Sequence, residues 1–115
     1  MNVRLSQPRV FLGSSVEGLE IARAIQSNLN NVYVQLWEQG AFKVSRNYLD
    51  DLIQEANSAD FAIFILSPDD VTKSRLVEET SPRDNVVFES GLFMGILGRE
   101  RVFLVAPRKL QLKKD

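Results

Sequence analysis

Short apolar runs that alternate with segments of helical length constrain the fold of this chain more than any other feature. Each run has the length of a strand and is apolar enough to be buried on both faces, as strands of parallel sheets are. The predicted strands cover residues 9–13, 32–37, 60–66 and 101–106. The predicted helices cover residues 16–30, 48–56 and 85–97. This strict alternation predicts an α/β fold, with a parallel sheet and helices on both of its faces.

The limits of these elements carry recognisable signals. Ser15 comes just before the first helical segment and is predicted to cap its N-terminus. Gly98 follows the third helical segment, at the position where glycine commonly ends a helix. Because no internal repeat, low-complexity tract or linker divides the sequence, we expect a single domain over residues 1–115.

Composition removes several classes of function. The chain contains no cysteine and no histidine. This excludes a disulfide framework, a thiolate nucleophile, a Ser-His-Asp triad and the usual zinc sites, and we expect no metal. Any catalysis must therefore use carboxylates, hydroxyls, lysine or a bound cofactor.

Charge and hydropathy limit the partners. Lys and Arg number 14 against 15 Asp and Glu, which gives a formal net charge of -1. Without a basic excess, we expect no nucleic-acid partner. The N-terminus has no apolar signal region, and the apolar runs are too short to span a membrane. We therefore expect no membrane contact and a cytoplasmic location.

Polar loops follow the first three predicted strands, at the edge where open parallel sheets bind ligands. These loops cover residues 13–15, 37–46 and 67–85. In the first loop, the hydroxyls of Ser14 and Ser15 and the amides at the helix start are suited to a phosphate or a ribose. The GSS sequence is far less specific than a full dinucleotide-binding or P-loop pattern. Each loop taken alone is better explained as a connection.

Glu89 is the sharpest single feature, because it is the only charged residue between Asp84 and Arg99. An unpaired carboxylate costs several kcal/mol to bury, so this position has to be paired, partly solvated or useful. Asn85 lies one turn earlier, and Asp84 is expected to cap or precede the helix. A helix-dipole role, or a salt bridge to Arg83 or Arg46, explains Glu89 equally well from these features alone.

Two glycines and two aromatic residues also bear on the site. Gly91 and Gly95, four residues apart, are expected to let the third helix approach the sheet closely. Trp37 lies at a strand end, which is more typical of a core residue than of a base-stacking platform. Phe42 lies in a polar loop after Gly40, so stacking on a nucleobase or on a neighbouring subunit suits it better.

Taken in order, several segments resemble the predicted nucleotide-binding TIR-like family of bacterial anti-phage systems. They are PRVFLGSSVEGLEIARAIQ, VQLWEQGAF, ADFAIFILSPDD and PRDNVVFESGLFMGILGRERVFLV. The similarity runs over residues 8–107, and the PRDNVVFE-G block with the SPDD loop is its most specific part. It implies a flavodoxin-like TIR fold and hydrolysis of NAD+ to nicotinamide and an ADP-ribose product. NAD+ would then be a substrate, with no resident cofactor.

The resemblance also assigns roles by position. The catalytic glutamate of the family falls on Glu89, and the loop that mediates TIR assembly falls on residues 38–47. Self-association, often into filaments, would complete a site between adjacent protomers. The residues expected to contact NAD+ are Ser14, Ser15, Trp37, Phe42, Arg83, Asp84 and Asn85. A single carboxylate is able to stabilise the oxocarbenium-like ribose without a histidine base, as carboxylates do in glycosidases.

One departure from the family concerns the C-terminal part of the fold. A TIR domain has a fifth strand and a closing helix, whereas this sequence ends soon after the fourth predicted strand, at residues 101–106. We therefore expect a piece of a larger protein, fused or coupled to a STING-like domain that senses a cyclic dinucleotide. In the strand order 2-1-3-4-5, the fourth strand would then be an exposed apolar edge.

Two other functions fit the same features. A nucleoside deoxyribosyltransferase-like enzyme also combines a flavodoxin-like sheet with a glutamate that acts on an N-glycosidic bond. A non-catalytic TIR assembly module would bind other TIR surfaces and signal by proximity. A response-regulator receiver fits less well, because the acidic pair at the end of its first strand is absent here.

Overall fold

The structure is a computed structural model and describes residues 7–38, 46–66 and 82–106, with only the backbone described for residues 46 and 82–85. The strands are β1 (Arg9–Ser14), β2 (Tyr33–Glu38), β3 (Phe61–Ile65) and β4 (Val102–Val105). The α-helices are α1 (Leu19–Asn28), α2 (Arg46–Ser58) and α3 (Pro82–Leu97). Short 3-10 helices cover Val16–Gly18 and Arg99–Arg101.

Within the described residues, the strands form one parallel sheet in the order β2-β1-β3-β4. This confirms the predicted α/β class and the 2-1-3-4 part of the expected order. Each predicted strand agrees with its observed counterpart to within a residue at either end. The chain leaves β1 towards β2 on one side and later crosses to β3 on the other side, so the order reverses between β1 and β3.

The first helical segment departs from its prediction at its N-terminus. Residues 16–18 form a 3-10 turn, and α1 begins only at Leu19. Ser15 has the extended backbone of an N-cap residue, but its side chain makes no capping hydrogen bond. The prediction that Ser15 caps the helix is therefore wrong for its side chain.

Two apolar clusters cover the two faces of the sheet. The larger one joins the sheet to α2 and α3, and each of its aromatic rings lies near the next. The Phe93 ring lies 4.4 Å from that of Phe11, Phe11 lies 5.5 Å from Trp37, and Trp37 lies 6.3 Å from Tyr48, measured between centroids. The smaller cluster joins the other face to α1 through Leu12, Ala22 and Ile65.

Gly13 allows β1 and the aromatic ring of Phe64 on β3 to fit together. A Cβ at position 13 would lie 2.9 Å from Phe64 Cδ1 and 3.3 Å from Phe11 Cε2. Gly13 and Phe64 are also register partners in the sheet. The larger cluster therefore has no room for a side chain at position 13.

The link from α3 to β4 follows the predicted signal. Gly98 has a positive φ of 93°, and its amide donates a hydrogen bond of 2.9 Å to the Met94 carbonyl. The glycine thus ends the helix as expected. β4 lies at one end of the strand order, and Phe103 and Leu104 are each half-exposed. Among the described helices, none has the length and apolar character needed to cross a membrane.

Candidate functional site

α3 carries Glu89 into the interior of the protein. The helix begins at Pro82, three residues earlier than predicted, and proline suits the first position of a helix because it needs no hydrogen-bond acceptor there. Asp84 is therefore inside the helix, and the expectation that it precedes or caps the helix is wrong. Glu89 follows about two turns, or roughly 10 Å, after the helix start. Its side chain is completely buried, with 0% exposed.

The surroundings of Glu89 follow from its place on α3. Val86 lies three residues before it and Phe93 four residues after it, so all three share one helix face. Both neighbours belong to the larger apolar cluster, together with Tyr48 of α2 and the partly buried Trp37. Glu89 also takes part in a polar or electrostatic interaction. The Glu89 carboxyl group thus lies on a helix face that packs into an aromatic-rich cluster, out of contact with water.

The opposite face of α3 is exposed and apolar. Val87 and Phe88 are each 51% exposed. Gly91 and Gly95 are exposed as well, and a Cβ at either position would meet no atom of the described residues within 4 Å. The expectation that these glycines bring the helix close to the sheet is therefore wrong, because they lie on the side of α3 that faces away from the core.

Ser14 and Ser15 form a closed turn at the carboxyl end of β1. Both residues are fully buried. The Ser14 hydroxyl donates a hydrogen bond of 2.7 Å to the Ser15 carbonyl. The Gly18 amide donates to the same carbonyl over 3.1 Å. Because the Ser14 hydroxyl donates its proton to a carbonyl of the turn, this side chain stabilises the conformation of the turn.

Three described members of the predicted site lie at the carboxyl ends of strands, and the fourth, Glu89, lies on the helix that follows β3. Ser14 and Ser15 end β1, Trp37 is near the end of β2, and Glu89 is on the helix that follows β3. Ser14 belongs to the α1 side of the sheet, whereas Trp37 and Glu89 belong to the side of α2 and α3. The strand ends are at the expected edge, and the two sets belong to opposite faces of the sheet.

The other predicted site residues are only partly covered. Arg83, Asp84 and Asn85 belong to the first turn of α3, but their side chains lie outside the described part of the structure. Phe42 and most of the assembly loop at 38–47 lie outside the described residues. Their roles in binding and assembly stay predictions.

Sequence reasoning missed three residues of this region. Tyr48 is buried, and its ring lies beside Trp37, but the sequence treats it only as a helix start. Ser90 is buried and donates a hydrogen bond of 2.8 Å to the Val87 carbonyl. In the sequence, Gly18 lies inside the predicted helix at 16–30, where a glycine only indicates lower helix stability. Of these, Tyr48 carried a signal: it lies four residues before Leu52, and Leu52 lies four before Ala56, on one helix face.

An open cleft of about 180 Å³ lies at the opposite end of the sheet. There the Arg9 guanidinium lies 4.7 Å from the centroid of the Tyr33 ring. Gln35 Nε2 donates to Glu55 Oε2 over a long 3.5 Å. Because open parallel sheets bind ligands beyond the carboxyl ends of their strands, we assign this cleft no part in the site.

Comparison with known proteins agrees with the geometry. Residues 9–115 match the family described as CAP12/Pycsar effector protein, TIR domain. The chain is 48% identical over 101 residues to the Pycsar effector protein PaPycTIR of Pseudomonas aeruginosa, covering 86% of this chain and 33% of that protein. It is 42% identical over 108 residues to CD-NTase-associated protein 12 of Flavobacterium daejeonense, covering 93% of this chain and 35% of that protein.

The match to these relatives is confined to one part of them. A second effector, BcPycTIR of Burkholderia cepacia, is 46% identical over 110 residues, or 94% of this chain and 36% of that protein. The chain thus spans about a third of the length of the curated relatives it matches. The resemblance to a bacterial anti-phage TIR family is confirmed, and the chain belongs to the CAP12/Pycsar effector TIR domain family.

Proposed function

We propose that this chain is an NAD+-cleaving TIR domain of bacterial antiviral defence, and that Glu89 is its catalytic carboxylate. The observation that carries the proposal is the complete burial of Glu89 on α3, in a segment with no other charged residue from 85 to 98. A protein gains little stability from a charge placed there. A buried glutamate on the helix that follows β3 is better explained by chemistry.

Beyond the negative charge of Glu89, the proposed reaction requires few groups from the protein. The bond between the nicotinamide nitrogen and C1′ of the ribose breaks, and its electron pair stays on the nitrogen of neutral nicotinamide. The ribose becomes an oxocarbenium-like cation, and the Glu89 carboxylate stabilises it electrostatically. Water then adds to C1′ and releases a proton. The product is ADP-ribose. No histidine is needed in any step, in keeping with a sequence that has none.

The surroundings of Glu89 suit this chemistry. The Glu89 side chain is completely buried and shares its helix face with Phe93 of the larger cluster, so water is excluded from around it. In apolar surroundings that exclude water, a fixed negative charge stabilises a developing cation more strongly than it would in water. Trp37 is the penultimate residue of β2 and is only partly buried, so a pyridinium or adenine ring at this edge of the sheet would meet it.

Assembly and signalling complete the proposal. The loop at 38–47, with Phe42, is proposed as the contact between protomers, and Arg83, Asp84 and Asn85 as further contacts to NAD+. The names of the relatives include CD-NTase-associated and Pycsar effector proteins. We propose that this chain likewise acts downstream of a cyclic nucleotide signal, through a sensor such as a STING-like domain.

The test uses chromatography to measure the release of nicotinamide from NAD+ by the full-length protein at high concentration. Glu89→Gln keeps the size of the side chain and removes its charge, so it should lower the rate by about 10²–10³ or more. Glu100→Gln is the matched control. It makes the same change on the exposed 3-10 helix after α3 and should leave the rate unchanged.

Each other outcome has a definite meaning. Nicotinamide release at the wild-type rate from folded Glu89→Gln protein would remove Glu89 from the catalytic role. Base exchange on a deoxynucleoside, with NAD+ left intact, would identify a deoxyribosyltransferase-like enzyme. Self-association of the wild-type protein without any turnover would identify an assembly module. Circular dichroism of each variant establishes that it is folded.

A further inference from the structure

Gly18 has the closest contact that any described glycine would make on gaining a side chain. A Cβ at this position would lie 2.7 Å from Ser14 Oγ and 3.0 Å from Ile65 Cγ2. Both distances are shorter than ordinary van der Waals contact. Gly18 itself is buried. The start of α1 therefore packs directly on the last residues of β1 and β3.

The backbone gives no reason for a glycine here. Gly18 has φ of -99° and ψ of 5°, values that other residues adopt in turns and at helix ends. The requirement comes from space alone: the Ser14 hydroxyl is the nearest group, and the Ile65 side chain is the next. Glycine at 18 is thus a packing partner of Ser14.

The contact between Gly18 and Ser14 lies at the ends of β1 and β3, the two central strands of the described sheet. Ser14 is the register partner of Ile65, so the crowded group bridges β1 and β3, where the strand order reverses. The Ser15 carbonyl is held there from two sides, by the Ser14 hydroxyl at 2.7 Å and the Gly18 amide at 3.1 Å. These two hydrogen bonds fix the direction of the turn that follows β1.

We propose that Gly18 is a positioning residue: by leaving room for the Ser14 hydroxyl, it sets the turn at Ser14 and Ser15 that forms the β1 side of the NAD+ site. The inference rests on the proposed function. Gly18 acts through Ser14 and Ser15 and does not touch the reacting bond. Because Glu89 belongs to the other face of the sheet, disturbing this turn should weaken substrate binding far more than the chemical step.

The first experiment tests the contact itself by a double-mutant cycle. Thermal unfolding is measured for the wild type, Gly18→Ala, Ser14→Ala and the double variant. Gly18→Ala should lower the Tm, and its effect should be smaller in the Ser14→Ala background, where the nearest oxygen is gone and only the crowding against Ile65 remains. Equal effects in both backgrounds would show that Gly18 and Ser14 are not coupled and would overturn the proposal.

The second experiment tests the consequence for substrate. For Gly18→Ala we expect the KM for NAD+ to rise about tenfold while kcat changes by less than about threefold, since displacing a binding group by an ångström or less weakens positioning. Gly91→Ala is the matched control, because it makes the same change in open space. It should leave both constants at their wild-type values.

The outcomes separate this inference from the proposed function. A fall in kcat with an unchanged KM, or no change in either constant, would overturn a positioning role for Gly18. If Gly18→Ala is too unstable to assay, Gly18→Ala in the Ser14→Ala background is compared with Ser14→Ala, and equal KM values are then expected. If the wild type cleaves no NAD+, the proposed function fails, and the unfolding cycle still decides whether Gly18 holds the turn through Ser14.

Discussion

The two faces of α3 depart from the usual arrangement of a helix on a sheet, because both are apolar and the buried one carries the charged side chain. The inner face carries Glu89, the only charged residue from 85 to 98, and holds it completely buried. The outer face carries Val87, Phe88 and two glycines, all exposed. A helix packed on one side normally has its polar residues outside. The stability of this domain alone therefore does not explain the buried charge or the exposed apolar side chains.

The comparison also shows what each face contributes. The inner face supplies the packing that holds the domain together, apart from its one carboxylate. The outer face contributes little to folding, since its side chains contact solvent. Substitutions on the two faces should therefore differ sharply in their effect on the free energy of unfolding.

Phe93→Ala should have the largest effect. Its ring lies 4.4 Å from Phe11 and 5.3 Å from Phe64, so its loss opens a cavity in the larger cluster. We expect a loss of about 3–5 kcal/mol in the free energy of unfolding, measured by urea denaturation. A loss below about 1 kcal/mol would show that the inner face is not the main packing surface of α3.

Gly91→Ala should have an intermediate effect of opposite sign. The added methyl group meets no atom of the described residues within 4 Å, and alanine favours the helix over glycine. We expect a gain of roughly 0.5–1 kcal/mol in the same denaturation experiment. Destabilisation by this variant would mean that the outer face is packed against something in the domain, and the contrast between the faces would fail.

Phe88→Gln should have the smallest effect on folding. The side chain is half-exposed, so exchanging it for a polar residue of good helix propensity should change the free energy of unfolding by about 0.5 kcal/mol or less. Its matched partner is Phe93→Ala on the inner face. A loss of several kcal/mol from Phe88→Gln would place this ring in the core.

Much of the fold could be predicted because its signals are local. The apolar runs predict β1 to β4 to within a residue at either end, and Gly98 predicts the end of α3. The parallel order follows from alternation of strands and helices. The apolar pattern predicts the start of α3 three residues late, because it does not include Pro82, and the 3-10 turn at Val16–Gly18 has no distinct pattern in the sequence.

The site could be predicted only in part. Glu89 stands out because a lone charge in an apolar segment is rare, and its complete burial agrees with that reading. The glycines of α3 could not be assigned to a face, because this helix is apolar on both of them. Gly18 could not be recognised at all, since its constraint comes from Ser14 and Ile65, which only the folded sheet brings near it.

The close fit of Gly13 against Phe64 has a consequence for how this family is able to vary. The two positions share a single volume across neighbouring strands, with 2.9 Å between Phe64 Cδ1 and a Cβ at position 13. A relative with a larger residue at position 13 should therefore carry a smaller one at position 64, and neither exchange should be tolerated alone. These positions should covary, so that the spacing between β1 and β3, and with it the separation of the Ser15 turn from α3, stays the same while the side chains change.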